Sequence, residues 1–105
     1  KYNEQNPFMM HYHMFIPALK LLASQEQKSK ILPLAEKLQF IGCYAQTELG
    51  HGPYNRVIET TAEFDQQSQE FILNTPTKRS YKWWGAGMGL TATHTIIIAR
   101  LILNK

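Results

Sequence analysis

Apolar residues at Phe8, Met9, Tyr12, Phe15, Ile16, Leu19 and Leu22 recur at the spacing of one helical face. Pro17 falls inside that run. It has no N–H and its ring crowds the preceding turn, so a kink or a restart is expected there. A second helix is predicted over 24–38, with Ser24 as N-cap, Gln27 as its capping-box partner, and Ile31, Leu34, Ala35 and Leu38 as a buried stripe. Pro33 interrupts this helix and predicts a bend. From Phe40 onward the pattern changes to that of strands, predicted over 40–46, 59–65, 70–74, 80–84 and 93–103; Thr60, Ala62 and Phe64 alternate with Thr61 and Glu63. Asp65-Gln66-Gln67-Ser68 is turn material, so 59–74 reads as a hairpin. Helices first and strands after them predict an α+β fold, N-terminal helices followed by an antiparallel β-domain, with domains at 1–39 and 40–105.

Composition narrows the class without changing that picture. A chain of 105 residues, 44% apolar and 18% charged, suits one small folded body of limited core. The net charge of +3 favours anionic ligands mildly and is no nucleic-acid signature. The single cysteine, Cys43, excludes an internal disulfide, and its apolar surroundings predict a buried, inert thiol. No membrane span is expected, because the longest apolar stretch, Thr95 to Leu103, is short and contains Arg100. Lys1 in place of a Met, and an end at Leu103-Asn104-Lys105 that is no peroxisomal address, read as a segment of a longer protein.

Candidate chemistry concentrates in two places. Tyr44-Ala45-Gln46-Thr47-Glu48-Leu49-Gly50-His51-Gly52 is a strand that ends in polar residues and breaks at two glycines. Hydroxyl, amide and main-chain groups at such an end suit a planar, hydrogen-bonding ligand such as a flavin; an ordinary strand end with a loop is the alternative. Trp83-Trp84 precedes Gly85-Ala86-Gly87-Met88-Gly89. A strand puts the two indoles on opposite faces, so that one can pack in the core while the other lines a ligand cavity and the glycines let a ligand approach the backbone; core tryptophans followed by a plain turn are the alternative. The turn matches neither the dinucleotide fingerprint nor the phosphate loop. His11, His13, His51 and His94 form no metal-ligand spacing, and no nucleophile triad or carboxylate pair stands out as catalytic.

Several blocks together resemble the peroxisomal acyl-CoA oxidases, flavoenzymes related to the acyl-CoA dehydrogenases. They are Met14-Phe15-Ile16-Pro17, Leu32-Pro33-Leu34-Ala35-Glu36-Lys37, the run from Ile41 to Gly52, Arg56 with Glu59-Thr60-Thr61-Ala62, Gln69-Glu70-Phe71-Ile72-Leu73-Asn74, and Lys82-Trp83-Trp84. The resemblance implies that 1–39 is the end of the family's N-terminal helical domain and 40–105 the first part of its middle β-barrel. It implies FAD as cofactor, contacted by Thr47 and at the position of Ala86, with Gln46, Trp84 and Gly85 beside them, and an acyl-CoA site near Gly52 and Pro53. The family places Pro-Gly-Gly after its tryptophans, a Lys where this chain has Leu90, and a Thr where it has Pro53; here Gly85-Ala86-Gly87 follows the tryptophans.

The implied reaction converts a fatty acyl-CoA to the trans-2-enoyl-CoA, with O2 reduced to hydrogen peroxide, in a full-length enzyme expected to be a peroxisomal homodimer. The family's glutamate base lies in its C-terminal domain, beyond residue 105, so none of Glu26, Glu36, Glu48, Glu59, Glu63 or Glu70 takes that role and the segment alone is expected to be inactive. The alternative is a non-catalytic structural or interaction module derived from such an oxidase. Nucleic acid and metal are not expected as partners.

Overall fold

The computed structural model describes residues 7–85 and 87–103. They fall into two compact units, one formed by the chain up to Tyr44 with Gly85–Ile96, the other by Ala45–Trp84 with the segment from Ile97 onward.

In the first unit α1 (Pro7–Met10) runs into a π-helical turn (His11–Phe15) and then α2 (Ile16–Leu22). The wide turn lies immediately before Pro17, whose missing N–H cannot bond the carbonyl four residues back; Ile16 N–H instead reaches His11 O. Pro17 therefore produces the expected restart. Ser24 caps α3 (Gln25–Glu36), and its hydroxyl and the Gln27 side chain satisfy each other's backbone N–H groups. Helix α3 continues through Pro33. It ends in a Schellman turn, with Gln39 N–H on Leu34 O and Leu38 N–H on Ala35 O, both at 3.0 Å, and Leu38 in the left-handed region at φ 53°.

The core of this unit is Phe15, Ile16, Leu19 and Ala35, with Ala23, Ile31, Leu32, Phe40 and Ile96 packed on it. The predicted α3 stripe holds at Ile31 and Ala35 but not at Leu34 and Leu38, which are exposed. The Schellman turn takes Leu38 out of the helix before the stripe reaches it. His11 is fully buried beside Phe15, where its neutral ring bridges two backbone groups: Gly42 N–H donates to Nδ1 at 2.8 Å, so Nε2 carries the proton and donates to Ala35 O at 2.9 Å. Strand β1 (Gly42–Ala45) starts there and pairs with β4 (His94–Ile97), and Cys43 is buried as expected.

In the second unit β2 (Thr61–Asp65) and β3 (Glu70–Asn74) form the predicted hairpin, in antiparallel register from Thr61 opposite Asn74 to Asp65 opposite Glu70. Asp65 holds the turn, accepting from Gln67 N–H at 3.0 Å and Ser68 Oγ at 2.8 Å. Strand β5 (Arg100–Leu103) joins the other side of β2 in parallel, so the antiparallel arrangement expected throughout is confined to the hairpin in this sheet. The register puts Ala62, Phe64, Phe71, Leu73, Leu101 and Leu103 on one face.

One predicted strand divides and another is absent. The run 93–103 divides into β4 and β5, and 80–84 is no strand: Lys78–Ser80 is a 3-10 turn locked by mutual hydrogen bonds between Thr77 and Ser80. Lys82 forms an isolated bridge with Glu48, and Trp84 leaves the extended region at φ 64°. No described helix is long and apolar enough to cross a membrane.

Candidate functional site

The Thr47 segment and the tandem-indole segment lie side by side. Gly50 N–H donates to Arg79 O at 2.8 Å, Leu49 N–H to Tyr81 O at 3.0 Å, and Trp83 N–H to Thr47 O at 2.9 Å. The partners run in opposite directions, so Glu48 stands directly across from Lys82. A tight loop closes behind them, with Gly52 N–H on Glu48 O at 2.9 Å and Gly52 at φ 59°. Gly50 meets a different constraint, since a Cβ there would stand 2.7 Å from the Arg79 Cβ.

Thr47 spends its carbonyl on Trp83. Its amide N–H and its hydroxyl have no partner among the described residues, and the residue is half-buried. Next to it, Trp83 and Trp84 are 61% and 80% exposed, so neither indole packs in a core. The expected division between a core face and a ligand face fails because the extended backbone ends at Trp84. Gln46 is more engaged than Thr47: its side-chain amide donates to Asn55 Oδ1 at 2.7 Å and its carbonyl accepts from Lys82.

Beneath this surface Glu48 is fully buried and accepts five hydrogen bonds. Oε1 takes Thr60 N–H at 2.9 Å, the Thr60 hydroxyl and Lys82 Nζ at 3.1 Å; Oε2 takes Glu59 N–H at 2.9 Å and His51 Nε2 at 2.7 Å. Burial alone would push the carboxyl up, but the hydrogen bonds from Thr60, Glu59 and His51 outweigh it and hold it well below the usual carboxylate range. Lys82 Nζ uses all three donors, on Glu48, on Gln46 O at 3.0 Å and on Ile98 O at 2.6 Å. The remaining ring nitrogen of His51, Nδ1, is buried and without a partner among the described residues.

The structure thus brings Gln46, Thr47, Gly52 and Trp84 into one unit, with Pro53 exposed on the loop. Gly85 belongs to the other unit, where its carbonyl accepts Met88 N–H at 3.1 Å, and Ala86 lies outside the described residues. Two shallow concavities of about 370 Å³ each, one at the hairpin turn and one along α2 and α3, include none of the predicted site residues. Among the described residues no group of three metal-ligating side chains comes together. Sequence reasoning missed the buried Glu48–Lys82 pair. The available signal was register: pairing Thr47 with Trp83 forces Glu48 opposite Lys82.

Residues 2–41 match the family described as acyl-coenzyme A oxidase N-terminal. Peroxisomal acyl-coenzyme A oxidase 1 of Arabidopsis thaliana is 52% identical over 95 residues, which is 90% of this chain and 14% of that protein. The crystal structure of an acyl-CoA oxidase from tomato superposes with a TM-score of 0.92 at 51% identity, covering 95% of this chain and 15% of that one. Acyl-CoA oxidase-2 of Caenorhabditis elegans, solved bound with FAD, ascaroside-CoA and ATP, superposes with a TM-score of 0.92 at 46% identity over 96% of this chain and 15% of its own. In sequence and in its α+β fold, this chain is similar to one segment of the peroxisomal acyl-CoA oxidases. It spans about 15% of the length of the relatives it matches.

Proposed function

We propose that this chain forms part of one wall of the flavin site in an FAD-dependent acyl-CoA oxidase of the peroxisome. Its residues 1–39 would close the N-terminal helical domain and 40–105 would open the middle β-domain, a division supported by the family match ending at residue 41. The observation that carries the reading is the Trp83 N–H to Thr47 O bond of 2.9 Å, which turns one Thr47 group inward and leaves its N–H and hydroxyl for a ligand.

That donor set fits the pyrimidine edge of an isoalloxazine, which presents carbonyl oxygens that accept hydrogen bonds. Thr47 would hold that edge, with Gln46 beside it and Trp84, Gly85 and Ala86 following on the second segment; Gly52 and Pro53 would border the fatty acyl-CoA. When bound, FAD would supply the hydride acceptor for oxidation of the acyl chain to the trans-2-enoyl-CoA, with O2 as the final electron acceptor reduced to hydrogen peroxide. The contribution of this chain is binding and orientation. Thr47 fixes the ring by direction-specific hydrogen bonds, and the exposed indole of Trp84 offers a flat apolar surface that excludes water. The full-length enzyme is read as a homodimer, and these 105 residues alone as inactive.

The test is FAD binding by the full-length protein that carries this stretch. Thr47→Val keeps the shape and removes the hydroxyl, so FAD should bind about tenfold more weakly, the worth of one hydrogen bond. Unchanged FAD affinity in that variant, or a full-length protein without flavin absorbance, rejects the reading. Peroxide formation from an acyl-CoA and FAD by the isolated 105 residues would refute the inactivity of the segment.

A further inference from the structure

We infer that Glu48 and Lys82 are positioning residues for the flavin-facing donors of Thr47. The inference rests on the flavin reading above and deepens it. Neither side chain faces a ligand: Glu48 is 0% and Lys82 9% exposed, and every donor of Lys82 is already taken by the protein. What the pair does is fix backbone. Lys82 Nζ grips Gln46 O, the carbonyl immediately before the Thr47 amide, and through Ile98 O it ties in a third segment. Glu48, the next residue after Thr47, is clamped by Glu59 N–H, Thr60 N–H and the Thr60 hydroxyl. Thr47 is therefore held from both neighbours, through the Gln46 carbonyl on one side and the Glu48 side chain on the other, and by Trp83 through its own carbonyl.

This clamp is costly to build, because two charges leave water for it, and the return in stability over an apolar pair is small. Its geometric effect is specific. Thr47 sits outside any named strand, so no continuous ladder fixes its peptide plane; the ion pair takes the place of that ladder. A peptide rotated by a small angle would swing the Thr47 N–H and hydroxyl off the positions a planar ligand requires, and positional errors of about 1 Å already cost such sites heavily.

The experiment uses the full-length protein and four variants: Lys82→Met, Lys82→Arg, Thr47→Val and the Thr47→Val/Lys82→Met double. Amide exchange of the apo-protein reports the clamp, and FAD titration by absorbance and by quenching of indole fluorescence reports its consequence. In K82M the Trp83 amide should exchange about tenfold faster and FAD affinity should fall about tenfold. K82R should recover part of both. In the double variant Thr47→Val should cost much less than in the wild type, because the donor it removes is already misaligned. Additive losses in the double variant, or a K82M protein that binds FAD as tightly as wild type, would overturn the inference. If K82M does not fold, K82R carries the test: a partial rise in Trp83 exchange together with a partial loss of FAD affinity supports the clamp, and altered exchange with unaltered affinity, or no change in either, rejects it. A wild-type protein that binds no FAD rejects the flavin reading itself, whatever the exchange data show.

Discussion

Gly42 N–H donates to Nδ1 of His11 at 2.8 Å, and this bond joins the π turn of the first helical run to the start of β1. The same ring donates from Nε2 to Ala35 O, so one buried imidazole serves a donor and an acceptor that have no water to turn to. Replacing His11 by Phe keeps the aromatic packing on Phe15, whose centroid lies 5.6 Å away, and strips both polar contacts. The expected loss is about 2–4 kcal/mol, the cost of two unsatisfied buried backbone groups. Chemical denaturation of the His11→Phe variant checks it, and a loss below about 1 kcal/mol would mean the two groups find other partners.

Acid should weaken the second unit through Glu48. Its folded-state carboxyl ionises more readily than an unfolded one, so across the acid range the unfolded chain binds more protons. The contribution is complete above the ordinary glutamate range and is lost progressively as pH falls through that range towards the lower folded value. Asp65, also held below its usual range by the Gln67 and Ser68 bonds, adds to the same slope. Glu48→Gln therefore should lose stability at pH 7 and show a shallower decline than wild type between pH 5 and pH 3. Parallel declines in urea titrations at those pH values would show that Glu48 does not carry the dependence.

Gly50 and Gly52 are both replaceable by Ala, for different costs and with different rescues. At Gly52 nothing lies near a new Cβ, but φ is 59°, so the cost is the left-handed backbone itself, about 1 kcal/mol. At Gly50 the backbone is ordinary and the obstacle is Arg79, whose Cβ and Cα lie 2.7 and 3.2 Å from the added atom. There the cost is overpacking, about 1–3 kcal/mol. Arg79→Gly should recover part of the Gly50→Ala loss and none of the Gly52→Ala loss, measured as thermal midpoints of the single and double variants.

The legible parts of this fold were those with local causes. The Ser24–Gln27 box, the restart at Pro17 and the 59–74 hairpin each depend on residues a few positions apart, and each formed. The α+β order and the adjacency of the Thr47 and Trp83 segments also held. The failures had causes at a distance or in an unexpected conformation. Leu38 left its helical stripe because a non-glycine residue adopted the left-handed Schellman position. The strand over 80–84 failed because Ser80 closes a turn on Thr77 and Trp84 turns left-handed. Glu48 and His11 looked unremarkable because their roles exist only once segments 12 to 34 residues away arrive to share their atoms.

Trp84 combines the two signs of a residue kept for something other than stability. A bulky side chain at φ 64° carries strain that Gly would not, and its indole is 80% exposed, so little burial offsets it. Trp84→Gly should therefore stabilise the protein without flavin by about 0.5–1 kcal/mol. The same change removes the flat apolar surface proposed to lie against the isoalloxazine, so FAD affinity should fall by about tenfold, the scale of one aromatic contact. Opposite signs in the two measurements, a higher thermal midpoint without FAD and a weaker titration with it, are the expected result. A variant that loses stability in the absence of FAD would show that the indole is held by the fold for its own packing, and one that gains stability and keeps full FAD affinity would remove Trp84 from the proposed wall.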